Sequence, residues 1–101
     1  MASRLDLQAK LEELLGQKHV YFQPPENNKL EYPAIRYSLS KIESRYADDS
    51  KYSNFNRYEI MVIDRKPGNA AIQKILELPY SSFDRHYVSD NLNHDSIILY
   101  F

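Results

Sequence analysis

Tyr58-Glu59-Ile60-Met61-Val62-Ile63 is the stretch that decides the fold class. Side chains alternate across an extended chain, so Tyr58, Ile60 and Val62 share one face and Glu59, Met61 and Ile63 share the other. Aromatic and β-branched residues dominate the run, as strands favour. Apolar residues occur on both faces, which predicts an inner strand covered on both sides. Asn56-Arg57 leads into the strand and Asp64-Arg65-Lys66-Pro67-Gly68 ends it in a turn.

Beyond that turn, Asn69 is placed to cap a helix over residues 69–78, with Ile72, Ile75, Leu76 and Leu78 as its buried stripe. Pro79 closes it, because a residue before proline is pushed out of the helical region. Residues 82–88 then read as a strand, 89–95 as a dense turn segment and 96–101 as a last strand. Strand, crossing helix, strand is the unit expected here, right-handed if the strands are parallel.

Upstream, residues 32–38 read as a strand, with Pro33 tolerable at its start or on an edge. Residues 19–22 form a short strand stopped by Pro24-Pro25. The two are placed to form a hairpin across the Pro-Pro loop. At the N-terminal end, Leu7, Leu11, Leu14 and Leu15 recur at helical spacing over residues 5–15. Ser3 is positioned to cap that helix, with Asp6 three residues on, and Gly16 to end it in a left-handed conformation.

Residues 40–55 are the least regular part. Ile42, Tyr46, Tyr52 and Phe55 are scattered among Lys41, Glu43, Arg45, Asp48, Asp49 and Lys51. Structureless connections in compact domains rarely exceed about 12–15 residues. The segment is therefore either a long excursion partly ordered by its aromatics, or a β-arm in which residues 42–45 extend the preceding strand. The expected fold is a single α+β domain over residues 1–101. It has a mixed sheet of about five strands, two helices packed on one face and a long inter-strand arm.

Composition sets the outer limits. A chain of 101 residues makes one domain with one modest core. There are 13 basic and 14 acidic side chains, so neither a nucleic-acid stripe nor an acidic tail stands out. No cysteine is present, which excludes disulfides and thiolate metal sites and fits a cytosolic product. No apolar run approaches the roughly 20 residues of a membrane span. The first residues lack a signal-peptide pattern, so a soluble protein is expected. Nine tyrosines are the compositional oddity. They suit a tyrosine-rich sheet, a subunit-packing surface, or both.

Few residues point to chemistry. His86, Asp90, His94 and Asp95 have spacing compatible with a divalent ion. The preferred reading makes Asp90, Asn91, Asn93, His94 and Asp95 a structural turn, because Asx side chains bond their own backbone in tight turns. No serine lies in a glycine-flanked nucleophile elbow, and with only Gly16 and Gly68 no phosphate-cradling loop can be built. Arg57, Arg65, Lys66 and Arg85, with Tyr58 or Tyr87 to stack on a base, would suit nucleic acid if they converged. Interleaved Glu59, Asp64 and Asp84 favour an ordinary mixed surface. No catalytic residue, metal or cofactor is expected.

Phe22-Gln23-Pro24-Pro25, Tyr32-Pro33-Ala34-Ile35 and Asp90-Asn91-Leu92-Asn93-His94-Asp95 carry a resemblance, joined by Tyr46-Ala47-Asp48 and the run from Arg85 to His94. Over residues 7–100 the chain resembles small head–tail joining proteins of tailed bacteriophages and Gram-positive prophages. More broadly it resembles the tail terminator, or tail completion, family. The resemblance implies a structural, non-enzymatic subunit needing no cofactor. It implies a homo-oligomeric ring, usually of six, that stops tail-tube growth and offers a surface to the filled head. The partners implied are the tail-tube protein and a head-completion protein, with no membrane and at most passive contact with DNA. The place implied is the virion tail or neck, after synthesis in the host bacterial cytoplasm. A head-completion stopper or adaptor of the phage neck is the alternative. On this reading Tyr46, Asp48, Tyr52 and Phe55 of the arm are the expected contacts with a neighbouring subunit or the tail tube, since aromatics anchor interfaces well. The other reading of the arm is a mobile loop whose tyrosines lie on their own sheet.

Overall fold

The structure is a computed structural model that describes residues 4–24, 30–47 and 50–101; for residues 43–47 and 50–55 it describes the backbone. In chain order the elements are α1 (Arg4–Leu15), β1 (Val20–Phe22), β2 (Ala34–Ala47), β3 (Ser50–Asp64), α2 (Ala70–Leu76), β4 (Ser81–Ser89) and β5 (Leu92–Tyr100). They form one five-stranded mixed sheet in the order β1-β2-β3-β5-β4, with both helices on one face. The expected α+β class and element order hold.

The strand around Ile60 is central, as its sequence requires. Ile60 pairs with Tyr37 of β2 on one side and Ile97 of β5 on the other. Tyr58, Ile60 and Val62 are buried against Leu7 and Leu11 of α1 and Ile72 and Ile75 of α2. The face of Glu59, Met61 and Ile63 is different. Glu59 is exposed and Met61 half-buried, and among the described residues no helix covers that side. Coverage of both faces was the expectation; of these three only Ile63, opposite Ala34 and His94, is buried.

Two connections differ from the reading of the sequence. The short strand β1 lies parallel to β2, pairing Val20 with Ile35 and Phe22 with Tyr37, so the two do not form a hairpin. A parallel pair needs a longer connection than the tight turn of a hairpin can give. The second difference lies between β4 and β5. Asp90 and Asn91 both have positive φ, 54° and 62°, and Ser89 pairs directly with Leu92. This is a two-residue type I′ turn, whose twist suits a hairpin. Asn93, His94 and Asp95, expected in the same turn, are residues of β5.

The helices follow their sequence signals closely. Gly16 has φ 79° and donates its amide to the Glu12 carbonyl at 2.9 Å, closing α1 in the left-handed conformation that glycine accommodates. Ser3, the expected cap of α1, lies outside the described residues. Asn69 caps α2 by accepting from the Ala71 amide at 2.8 Å. Its side-chain Nδ2 donates to Asp64 Oδ2 at 2.8 Å, tying the helix start to the end of β3. α2 ends at Leu76, two residues before the expected end, and its last carbonyls are taken by the Glu77 and Leu78 amides.

Candidate functional site

Two features stand apart from the core: a β-ribbon and an uncovered sheet face. The ribbon grows from the long strands. β5 pairs with β3 only over residues 57–64, and β1 with β2 only over residues 35–37. Beyond them, Ile42 to Ala47 pair with Ser50 to Asn56 in an antiparallel ladder with no third strand among the described residues, through Glu43 with Phe55 and Tyr46 with Lys51. Six residues of strand span about 20 Å. The molecule measures 51 × 26 × 23 Å, so the ribbon direction dominates its shape.

A β-bulge marks where the ribbon leaves the sheet. Leu39 pairs with Tyr58 and Lys41 with Arg57, which leaves Ser40 as an extra residue. Ser40 Oγ donates to the Arg57 carbonyl at 2.8 Å and accepts from Arg57 Nη1 at 3.0 Å. Bulges bend a strand and raise its twist. Ile42, on the first turn of the ladder, is 61% exposed. Residues 42–45 continue the ladder of β2 with β3. Of the expected contacts, Tyr46 and Phe55 stand at paired positions, and Tyr52 at the skipped position of a second register shift. Asp48 and the side chains of Tyr46, Tyr52 and Phe55 lie outside the described residues.

The uncovered face carries Arg36 and Ser38 of β2, Glu59 and Met61 of β3, His94 and Ser96 of β5, and Arg85 and Tyr87 of β4 around a depression of about 310 Å³. Cross-strand pairing puts Tyr87 opposite His94, and their rings stack at 4.7 Å and 5°. The Arg85 guanidinium lies 5.5 Å from the Tyr87 ring. The ring separation matches the spacing of adjacent strands, so the two rings stand face to face as a cross-strand pair.

The residues with metal-compatible spacing are split by the sheet. His86 pairs with Asp95 on the helix side, Nδ1 to Oδ1 at 2.8 Å, whereas His94 belongs to the opposite face and bonds the Leu92 carbonyl at 3.0 Å. Asp90 sits in the turn. Among the described residues no group of three or more metal-ligating side chains converges. Asn93 donates to the Asp64 and Arg65 carbonyls at 3.4 and 3.3 Å, fastening the start of β5 to the end of β3.

The cations weighed for nucleic acid are also separated. Arg57 lies opposite Tyr100, while Arg65 follows Asp64, which lies opposite Asn93. That is about 26 Å of strand. Tyr58 is buried in the core and cannot stack on a base. No helix among the described residues is long and apolar enough to cross a membrane. The chain matches no protein-family model and no curated protein sequence.

Sequence reading missed the bulges at Ser40 and Asp84, the register shift at Tyr52 and the type I′ turn. Asp90-Asn91 was the available signal for the turn, since both residue types tolerate positive φ. The bulges leave no comparable signature, because neither Ser40 nor Asp84 is a residue type that marks a bulge in the sequence.

Proposed function

We propose that the protein is a structural part of a phage tail or neck. It acts as a subunit of a ring at the head-proximal end of the tail, ends growth of the tail tube and supplies the surface to which the head joins. The ribbon carries this reading. A paired extension of residues 42–47 and 50–56, beyond the reach of β1 and β5 in a 101-residue chain, lengthens the molecule. Reach is what a subunit needs to engage a neighbour or the tube it caps. The aromatic residues Tyr46, Tyr52 and Phe55 and the charged Glu43, Arg45, Asp48, Asp49 and Lys51 supply anchors and a polar rim in the sequence of that extension. The work is mechanical, with no bond made or broken, and the partners are further copies, the tail-tube protein and the head-completion protein.

The test is electron microscopy of tails assembled with the full protein and with a variant whose residues 47–53 are replaced by a short Gly-Ser turn. The full protein gives tails of uniform length that join heads. The variant is expected to give tails of uncontrolled length or heads left unattached. Normal, infectious particles from the variant would remove the ribbon from assembly.

A further inference from the structure

β4 is an edge strand, and its outer side pairs with no other strand among the described residues. It is nine residues long, and every residue from Ser82 to Ser89 is exposed. The seven-residue α2 leaves much of the helix side of β4 uncovered, so Phe83 is 48% and Val88 62% exposed there. An exposed edge of this length, about 30 Å, is a template for another strand.

Two features of β4 restrict which strand fits. The first is the bulge. Phe83 pairs with Ile97 and Arg85 with Ser96, so Asp84 is an extra residue. Asp84 accepts from Ser96 Oγ at 3.2 Å, which places it on the uncovered face beside Arg85. The alternation of faces therefore slips at Asp84. Ser81, Phe83, His86 and Val88 belong to the helix side, and Ser82, Asp84, Arg85 and Tyr87 to the uncovered side. A regular strand laid along this edge matches faces on only one half. The second feature is charge. Asp84 and Arg85 are adjacent opposite charges, and neither makes an ion pair within the described chain.

We propose that β4 pairs edge to edge with β4 of a second copy of this chain, antiparallel, with Asp84 of each copy opposite Arg85 of the other. In this register Ser82 faces Tyr87 and Asp84 faces Arg85 on the uncovered side. Ser81 faces Val88 and Phe83 faces His86 on the helix side. All pairs match in face on both halves, because the second strand carries the same bulge. Shifting by one residue sets helix-side residues against uncovered-side ones. The contact is two-fold symmetric, so each Asp84–Arg85 ion pair occurs twice. Bulges and charges normally protect an edge from foreign strands. Here the same devices admit the one strand that mirrors them, which is how a contact gains specificity. The result is a continuous ten-stranded sheet with all helices on one side. This contact is separate from the ring reading. A two-fold contact closes after two copies, whereas a ring needs a heterologous one.

The experiment is sedimentation of the full chain and of two charge variants, Asp84→Lys and Arg85→Glu, alone and mixed. The unmodified protein is expected to run at twice the mass of one chain and to dissociate as salt rises, because the ion pairs are screened. Asp84→Lys gives an edge with two cations and Arg85→Glu an edge with two anions. Each alone is expected to run as a monomer, and their equimolar mixture to recover the dimer, which also shows that both are folded. Amide exchange on the unmodified protein supplies a readout without substitution: β4 amides should slow as concentration rises. A monomer for the unmodified protein at every concentration, or a dimer that survives in either variant alone, overturns the proposal.

Discussion

Tyr37 shows how one side chain joins the sheet to α1. Its ring is buried on the helix face of β2, 5.0 Å from the Phe22 ring and 6.0 Å from the Tyr58 ring. A buried phenol needs a partner, and the Tyr37 hydroxyl donates to Gln8 Oε1 at 2.6 Å and accepts from Arg4 Nη1 at 3.3 Å. Gln8 in turn donates to the Val20 carbonyl at 3.0 Å, so the first turns of α1 are bound to both β1 and β2. Burial pushes the Tyr37 hydroxyl above its ordinary pKa, against the nearby Arg4, which lowers it. The folded state therefore holds this proton more tightly than the unfolded chain. The sign follows: stability from this group is full below the unfolded value of about 10 and falls as pH rises through the folded one. Tyr37→Phe is expected to lower stability by about 1–3 kcal/mol near neutral pH, because Gln8 Oε1 loses its donor. It should also flatten the decline above about pH 10. Urea midpoints measured across that range check both effects, and an unchanged slope would assign the decline to other tyrosines.

At the scale of elements, the central strand and both helices were legible because each signal is local. Alternation over Tyr58 to Ile63, the stripe of Leu7 and Leu11, and the Asn69 cap all lie within a few residues of one another. The parallel placement of β1 rests on a pairing, Val20 with Ile35, that neither segment shows by itself, and the register shifts at Ser40, Tyr52 and Asp84 fall at residues whose type does not announce them. The open face was obscured for a related reason: Met61 and Ile63 look like residues facing a second layer, yet Met61 is half-buried and Glu59 beside it is exposed. The ribbon was legible only as a choice between a loop and a β-arm, because its alternation is broken by bulged positions. Two substitutions test the elements that were read correctly and the one that was not. Ile60→Asp sets a carboxylate at a fully buried position between Tyr37 and Ile97, at a cost of several kcal/mol. A domain this small has about 5–15 kcal/mol in total, so no cooperative thermal transition is expected. At the turn, Asn91→Val forces a β-branched residue to φ 62° and should cost about 1–2 kcal/mol, while Asn91→Gly should cost nothing. Equal denaturation midpoints for the two would contradict the type I′ geometry.

For the whole molecule, stability and reach are assigned to different parts of the chain. The buried cluster draws on Leu7, Val20, Tyr37, Ile60, Ile72 and Leu99 among others, and Ser40, Lys41 and Ile42, where the ribbon begins, are exposed. The ribbon is instead a two-stranded extension, a form with little stability of its own in water. It is held where it joins the sheet by the Ser40–Arg57 bonds and by the Phe101 amide donating to the Asn56 carbonyl at 3.0 Å. Both lie outside residues 47–53. Replacing those seven residues by a short Gly-Ser turn should therefore leave the cooperative unfolding of the body almost unchanged. A loss of about 1 kcal/mol would lower the midpoint by roughly 4–8 °C in a domain of this size, and a smaller shift than that is expected. Calorimetry on the variant makes the tail-assembly experiment interpretable. With the midpoint preserved, failure to control tail length is a failure of contact, and the ribbon is the contact. A midpoint lowered by more than about 8 °C, beyond 1 kcal/mol on the same scale, would instead make the ribbon part of the folded body and move the search for the assembly surface to the uncovered sheet face.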